Sequence, residues 1–77
     1  MASFSMHQNK RYKAHIRLNF VERLASNAEI AERLRGAGFA DVTVSGSGGG
    51  RVAEGTWPLN DVVVELPSQI RSVTEMA

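Results

Sequence analysis

The chain has 77 residues, with nine lysines and arginines against eight aspartates and glutamates, no cysteine and 43% hydrophobic residues. A chain of this length forms one domain, whose core is small because folding buries only about 60–65% of the surface that the unfolded chain exposes. The lack of cysteine excludes disulfides, cysteine-based metal sites and thiol catalysis. The net charge of +1 is far from the strongly basic balance of a dedicated nucleic-acid-binding domain.

The first ten residues, MASFSMHQNK, show no periodicity, and they predict a disordered tail before a single domain over residues 11–77. They contain no apolar stretch of the kind that forms a signal peptide. No apolar run elsewhere approaches the length of a membrane span. We therefore expect a cytoplasmic protein that has no membrane partner.

Residues 11–21 alternate with period two, and this pattern predicts a half-buried strand. One row is apolar and should face a core; it consists of Tyr12, Ala14, Ile16, Leu18 and Phe20. The other row is almost entirely basic and should face water; it consists of Arg11, Lys13, His15, Arg17 and Asn19. A basic row on a solvent-facing strand is the main functional indication in the sequence.

A helix is predicted to follow, because Ser26 and Glu29 have the spacing of a capping box. The Ser26 hydroxyl can accept a hydrogen bond from the amide of Glu29, and the Glu29 carboxylate can accept one from the amide of Ser26. The helix should run to about Arg35. Gly36 or Gly38 can then adopt the left-handed conformation that ends a helix.

The rest of the chain reads as strands and turns. Strands are predicted over 40–45, 51–57 and 61–66, where β-branched residues are frequent. The glycine-rich segment GSGGG should form a mobile hairpin tip, and residues 58–61 should form a turn. Residues 69–75 are predicted as a further strand, with a short helix capped by Ser68 as the alternative.

This order predicts an α+β fold of the form β-α-β-β-β with one further strand: an open mixed sheet with one helix packed on one face, a half ferredoxin-like two-layer sandwich. The first two strands should run parallel. The order resembles the first half of the ferredoxin-like arrangement of small heavy-metal-binding domains. The resemblance covers topology only, because the loop NFVERLAS lacks the CxxC pair of those domains, and it implies neither metal binding nor a residue role.

The basic row has two interpretations. It can be an anion-binding sheet face, or a solvated face whose cations pair with Glu54, Glu65 and Asp41 on neighbouring strands. Sheet faces that bind single-stranded nucleic acid carry aromatic residues beside the cations. Tyr12 belongs to the opposite row, so nucleic-acid binding is disfavoured.

Two further residues are candidates. Arg51 follows the glycine loop and could add charge to a backbone phosphate cradle, although a phosphate loop opens a helix, and these glycines join two strands. Trp57 is either a core residue or an exposed binding anchor, and the core is favoured. His7 and His15 are too few to hold a metal ion.

The sequence therefore predicts a small non-enzymatic interaction module without a cofactor or a metal. Its candidate binding residues are Arg11, Lys13, His15, Arg17, Arg51 and Trp57. The expected partner is a protein, including a second copy of the chain, that binds at an edge strand or on the basic face. Weak nucleic-acid binding by the same face is the alternative, and a small enzyme is the third hypothesis.

Overall fold

A computed structural model describes residues 2–76, in which six strands and one α-helix are found. In chain order the elements are β1 Ala2–Met6, β2 Lys10–Arg17, a 3₁₀ helix Glu22–Leu24, α1 Asn27–Ala37, β3 Ala40–Ser47, β4 Gly50–Trp57, β5 Val62–Leu66 and β6 Ile70–Glu75. The predicted α+β class with a single helix is confirmed. The last segment is a strand and not the alternative helix.

Four of the strands form one sheet in the order β3-β4-β2-β6. All neighbours in this sheet pair antiparallel. β2 and β3 run in the same direction, as predicted, because both are antiparallel to β4, which lies between them. β2 is thus a central strand, and β3 and β6 form the two edges.

The other two strands, β1 and β5, pair antiparallel in a separate two-stranded sheet, with Met6 opposite Val62 and Ala2 opposite Leu66. This corrects the prediction of a disordered tail over residues 1–10, since residues 2–6 form β1. Residue 1 lies outside the described residues. Residues 2–6 are ordered because the side chain of Met6 is fully buried. The strand β1 therefore contributes to the core.

The helix and the β1–β5 sheet cover the same face of the four-stranded sheet. Leu34 of α1 and Leu66 of β5 line one small cavity together with Tyr12 of β2. The core lies between these layers, and its buried apolar residues are Met6, Tyr12, Ile16, Ala31, Leu34, Val42, Ala53, Trp57, Leu66 and Ile70. The opposite face of the four-stranded sheet is covered by none of the described elements.

The apolar row of β2 faces this core, but it is shorter than the sequence predicts. Tyr12 and Ile16 are buried, whereas Phe20 is 84% exposed. The chain leaves the sheet after Arg17 because the amides and side chains of Asn19 and Glu22 bond to each other reciprocally, with both N···O distances 2.8 Å. This pairing turns the chain into the 3₁₀ helix.

The predicted capping box of the helix is confirmed. The Ser26 hydroxyl accepts a hydrogen bond from the Glu29 amide at 3.1 Å, and the Glu29 carboxylate accepts one from the Ser26 amide at 3.3 Å. Gly38 follows the helix with φ +120°, and a β-carbon there would lie 2.9 Å from the Trp57 ring. Among residues 2–76, no helix combines the length and the apolar character needed to cross a membrane.

A tight two-residue turn, Gly48-Gly49, joins β3 and β4. The predicted hairpin is therefore present, but its tip is bonded to the rest of the molecule. The carbonyl of Gly49 accepts a hydrogen bond from the Leu18 amide at 2.8 Å. The carbonyl of Gly48 accepts one from Arg51 Nε at 3.1 Å. The Leu18 bond holds the hairpin end against the end of β2, and the Arg51 bond closes the tip on itself.

Candidate binding face and arginine cleft

The basic row of β2 lies in the middle of the uncovered face, because β2 is flanked by β4 and β6. His15 and Arg17 are exposed, and Arg11 and Lys13 are half-buried. Their neighbours across the strands are small polar residues, valine, glycine and one carboxylate. These neighbours are Thr56, Glu54, Val52 and Gly50 on β4 and Thr74 and Ser72 on β6. We call this surface the basic face.

Arg11 is the residue of the basic row whose side chain is bonded to other groups of the protein. Its Nη1 donates to the Thr56 hydroxyl at 3.1 Å and to the Asp41 carbonyl at 3.3 Å. Its Nε lies 3.8 Å from a Glu54 carboxylate oxygen. Cross-strand pairing therefore accounts for Arg11. No such ion pair exists for Lys13 or Arg17 among residues 2–76.

Arg51 lies away from the basic face. It is opposite Ile16 in the register of β4 and β2, and only 6% of it is exposed. Its guanidinium donates to four acceptors, which are the carbonyls of Gly48, Ala25 and Arg23 and Oδ1 of Asn27. The side chain therefore ties the hairpin to the start of α1 and is closed to a ligand. Arg51 and Trp57 are separated by an even number of positions on β4 and therefore face the same side of the strand. This spacing in the sequence indicated that Arg51 points inward.

Trp57 is buried in the core, as the favoured interpretation predicted. Its indole Nε1 donates to the carbonyl of Asn60 at 2.9 Å. Its ring meets Phe39 edge-on, with the ring centroids 5.1 Å apart. Trp57 therefore cannot serve as a binding anchor on the surface.

A polar cleft of about 540 Å³ continues the basic face beyond the end of β2. We call it the arginine cleft; its lining residues are Arg17, Leu18, Asn19, Glu22, Arg23, Gly49, Ser68, Gln69 and Arg71. The three arginines come from three separate elements, namely the end of β2, the 3₁₀ helix and the start of β6. Sequence reasoning found Arg17 and missed the other two, because no local pattern brings these segments together.

Local backbone features place these arginines. The pairing of β2 with β6 shifts between His15 and Ile16, which leaves Arg71 as the extra residue of a β-bulge, and bulges redirect side chains. The guanidinium of Arg23 packs over Gly49, where a β-carbon would lie 2.9 Å from Arg23 Nε. None of the side chains of Arg17, Arg23 and Arg71 is in an ion pair with another residue between 2 and 76.

Among residues 2–76, Glu22 is the one carboxylate that lines the cleft. It accepts a hydrogen bond from the Asn19 amide at 2.8 Å and another from Gln69 Nε2. The Asn19 bond, then the Gln69 bond and the charge of Arg71 lower the pKa of Glu22 below its ordinary value. The carboxylate therefore stays ionised and bonded to protein groups, and the cleft keeps a positive balance of three arginines against this one carboxylate.

Asp61 is a second carboxylate with a lowered pKa. It accepts a hydrogen bond from the Gln8 amide at 2.7 Å and contacts His7 Nδ1 at 3.2 Å, and these contacts, the Gln8 bond first, lower its pKa. These bonds fasten the turn between β1 and β2 to the start of β5. Among residues 2–76, no three His, Asp or Glu side chains are close enough together to hold a metal ion.

These two lowered pKa values predict how stability depends on pH. A carboxylate whose pKa is lower in the folded than in the unfolded state stabilises the fold at pH values above its unfolded pKa. The unfolded pKa is 4.5 for Glu22 and 3.8 for Asp61. This stabilisation is lost as the pH falls through the folded pKa. The urea midpoint of the wild type should therefore fall steadily below about pH 5. The urea midpoint of the double variant E22Q/D61N should fall less over the same pH range. Parallel curves for the two proteins would contradict this prediction.

Comparison of the chain with protein-family models, with curated proteins and with solved structures found no match.

Proposed function

We propose that the protein is a small binding module that docks an acidic protein surface on its basic face. The observation that carries this proposal is the combination of Lys13, His15 and Arg17 on the uncovered face of the four-stranded sheet, with no ion pair to Lys13 or Arg17 among the described residues. Surface charges of one sign steer an oppositely charged partner and fix its orientation. The face is thus suited to an acidic partner.

The neighbours of the row support a protein partner. Hydroxyl side chains flank the basic row, and they can donate to or accept from a partner's polar groups. These residues are Thr43, Ser45, Thr56, Ser72 and Thr74. The basic face is therefore a broad polar surface, of the kind that forms the rim of protein–protein interfaces.

Binding of single-stranded nucleic acid has weaker support. Proteins that bind it place aromatic rings beside the cations so that bases can stack. Tyr12 and Trp57 are both buried on the core side of the sheet. The basic face therefore offers cations without a stacking surface.

Addition of a partner strand at a sheet edge also has weaker support. β3 has a register shift between Ala40 and Thr43, where Asp41 has φ +50°. β6 has the bulge at Arg71. Irregularities of this kind are a common means by which natural edge strands avoid pairing with another chain. The face is therefore the preferred docking surface.

The test compares the variants K13Q/R17Q and R33Q/R35Q. The second pair removes the same charge from the exposed side of α1. The probes are a glutamate-rich peptide of about 20 residues, as a model acidic surface, and a single-stranded oligonucleotide of similar charge, each titrated into ¹⁵N-labelled protein. Two surface cations together contribute about tenfold in affinity. We expect the peptide to shift amides of β2 and β4 and to bind K13Q/R17Q about tenfold more weakly.

Binding of the peptide to R33Q/R35Q should match the wild type. Equal weakening in both variants would mean that overall charge, and not the basic face, attracts the peptide. The oligonucleotide could instead bind more tightly than the peptide, shift the same amides and weaken steeply with added salt. That result would indicate that the partner is a nucleic acid and not a protein.

A further inference from the structure

Three apolar side chains protrude beside the arginine cleft. Phe20 is 84% exposed, Val21 is 71% exposed and Leu24 is 86% exposed. Exposed apolar residues are ordinary when they are scattered, but a contiguous group marks a contact surface. These three lie within five residues of one loop, which we call the apolar tip.

The apolar tip and the cleft are two sides of the same loop. Val21 and Leu24 are three residues apart around the 3₁₀ helix, and residues with this spacing lie on one side of such a helix. Asn19 and Glu22 line the cleft, and Gln69 bonds to Glu22 there. The loop therefore directs its polar groups into the cleft and its apolar groups outward.

Positive charge is concentrated at this corner of the molecule. Arg17, Arg23 and Arg71 line the cleft, while the chain as a whole has a net charge of +1. The carboxylate of Glu22 is bonded to protein groups. With Glu22 counted, the nine lining residues carry three positive charges against one negative charge, so the cleft has a local charge of +2. Guanidinium groups match phosphate oxygens with two parallel hydrogen bonds.

We propose that this corner binds the surface of an anionic phospholipid membrane. The arginine cleft takes a headgroup phosphate, and Phe20, Val21 and Leu24 enter the boundary between headgroups and acyl chains. Apolar side chains next to cations are the combination that holds peripheral proteins at anionic bilayers. The expectation of no membrane partner was based on the lack of a spanning segment, and surface binding needs none.

Other occupants fit the observations less well. A twofold contact between two copies through this corner would bring the same three arginines of each copy together, and like charges repel. A soluble phosphate compound would fill the cleft but leave the apolar tip in water. A bilayer accepts a protruding apolar tip without a matching pocket, and its headgroups supply the negative charge.

The experiment measures binding of the full chain to phosphatidylcholine vesicles with and without 30% phosphatidylserine by flotation. The wild type should bind the anionic vesicles and bind the neutral ones far more weakly. F20S/V21S/L24S should bind the anionic vesicles at least tenfold more weakly, because all three side chains leave the interface. R23Q/R71Q should bind roughly 25-fold more weakly, about fivefold for each arginine.

Two matched controls test whether the location matters. L59S/V62S/V63S removes three exposed apolar residues from another part of the surface, and R33Q/R35Q removes two exposed arginines from α1. Both should bind vesicles like the wild type. Circular dichroism checks that each variant is folded. Equal losses in the controls and the cleft variants would overturn the proposal.

Further outcomes separate the sources of phosphate and the two surfaces. Inorganic phosphate could shift the amides of residues 17–23 and 69–71 while the protein fails to bind vesicles. That result would mean that the cleft binds a soluble anion, and it would overturn the membrane proposal. Equal binding to neutral vesicles would overturn the role of the arginines. R23Q/R71Q keeps Lys13 and Arg17, so it should still bind the glutamate-rich peptide. Loss of vesicle binding can therefore be distinguished from loss of peptide binding at the basic face.

Discussion

Replacement of Met6 by alanine is expected to lower the free energy of unfolding by about 3 kcal/mol. Met6 has no exposed surface, and truncation of a fully buried methionine costs about 2–5 kcal/mol because a cavity remains. A domain of this length has a total stability of about 4–12 kcal/mol. The loss is thus a large fraction of the total. Urea denaturation followed by circular dichroism measures it.

The control is Ser5→Ala, which changes an exposed residue on the same strand and should alter stability by less than about 0.5 kcal/mol. If M6A were as stable as S5A, β1 would not belong to the core. The prediction thus decides between a folded strand and the disordered tail that the sequence indicates.

The strand β1 could not be identified from its own residues. Its alternation is carried by Ala2, Phe4 and Met6, with Ser3 and Ser5 between them, which is too short a pattern to distinguish from a tail. Its partner β5 begins at Val62, far away in the chain. Only the tertiary pairing of the two segments reveals that residues 2–6 are needed to cover the core.

Features that depend on neighbouring residues were predictable. The period-two alternation of β2 placed Tyr12 and Ile16 inward and Lys13 and Arg17 outward, as the structure has them. The capping box at Ser26 placed the start of α1. Each of these signals acts over a few residues, so the sequence contains the whole interaction.

The end of β2 was predictable in principle but was missed. The alternation continues through Phe20, which suggested a longer strand. The signal against it was the spacing of Asn19 and Glu22, which allows the same reciprocal bonds as a capping box. This local pairing overrides the alternation, and it exposes Phe20 instead of burying it.

The arginine cleft shows the limit of sequence reasoning for the site. Arg17 was expected to face water, but nothing local connects it with Arg23 or Arg71. Their proximity depends on the bulge that leaves Arg71 unpaired in β6 and on the contact between Arg23 and Gly49. Both features follow from tertiary pairing, so only the folded structure reveals the cleft.

The second large effect is expected at Arg51, the buried arginine that links three segments. Arg51→Met keeps much of the side-chain volume and removes every donor. The carbonyls of Gly48, Ala25 and Arg23 and Oδ1 of Asn27 then lose their partner. A buried group without its hydrogen bond costs about 1–3 kcal/mol, and part of this cost is recovered by water and by the apolar methionine. We expect a loss of about 3 kcal/mol.

A local measurement separates this mechanism from general loosening of the core. The Leu18 amide bonds to the Gly49 carbonyl at the hairpin tip that Arg51 holds. Hydrogen exchange at Leu18 should therefore accelerate more in R51M than exchange at the central β2 amides does. Arg35→Met removes an exposed arginine with one ion pair to Glu32, and should cost less than about 0.5 kcal/mol. Equal stability of R51M and R35M would show that the guanidinium does not hold the hairpin to α1.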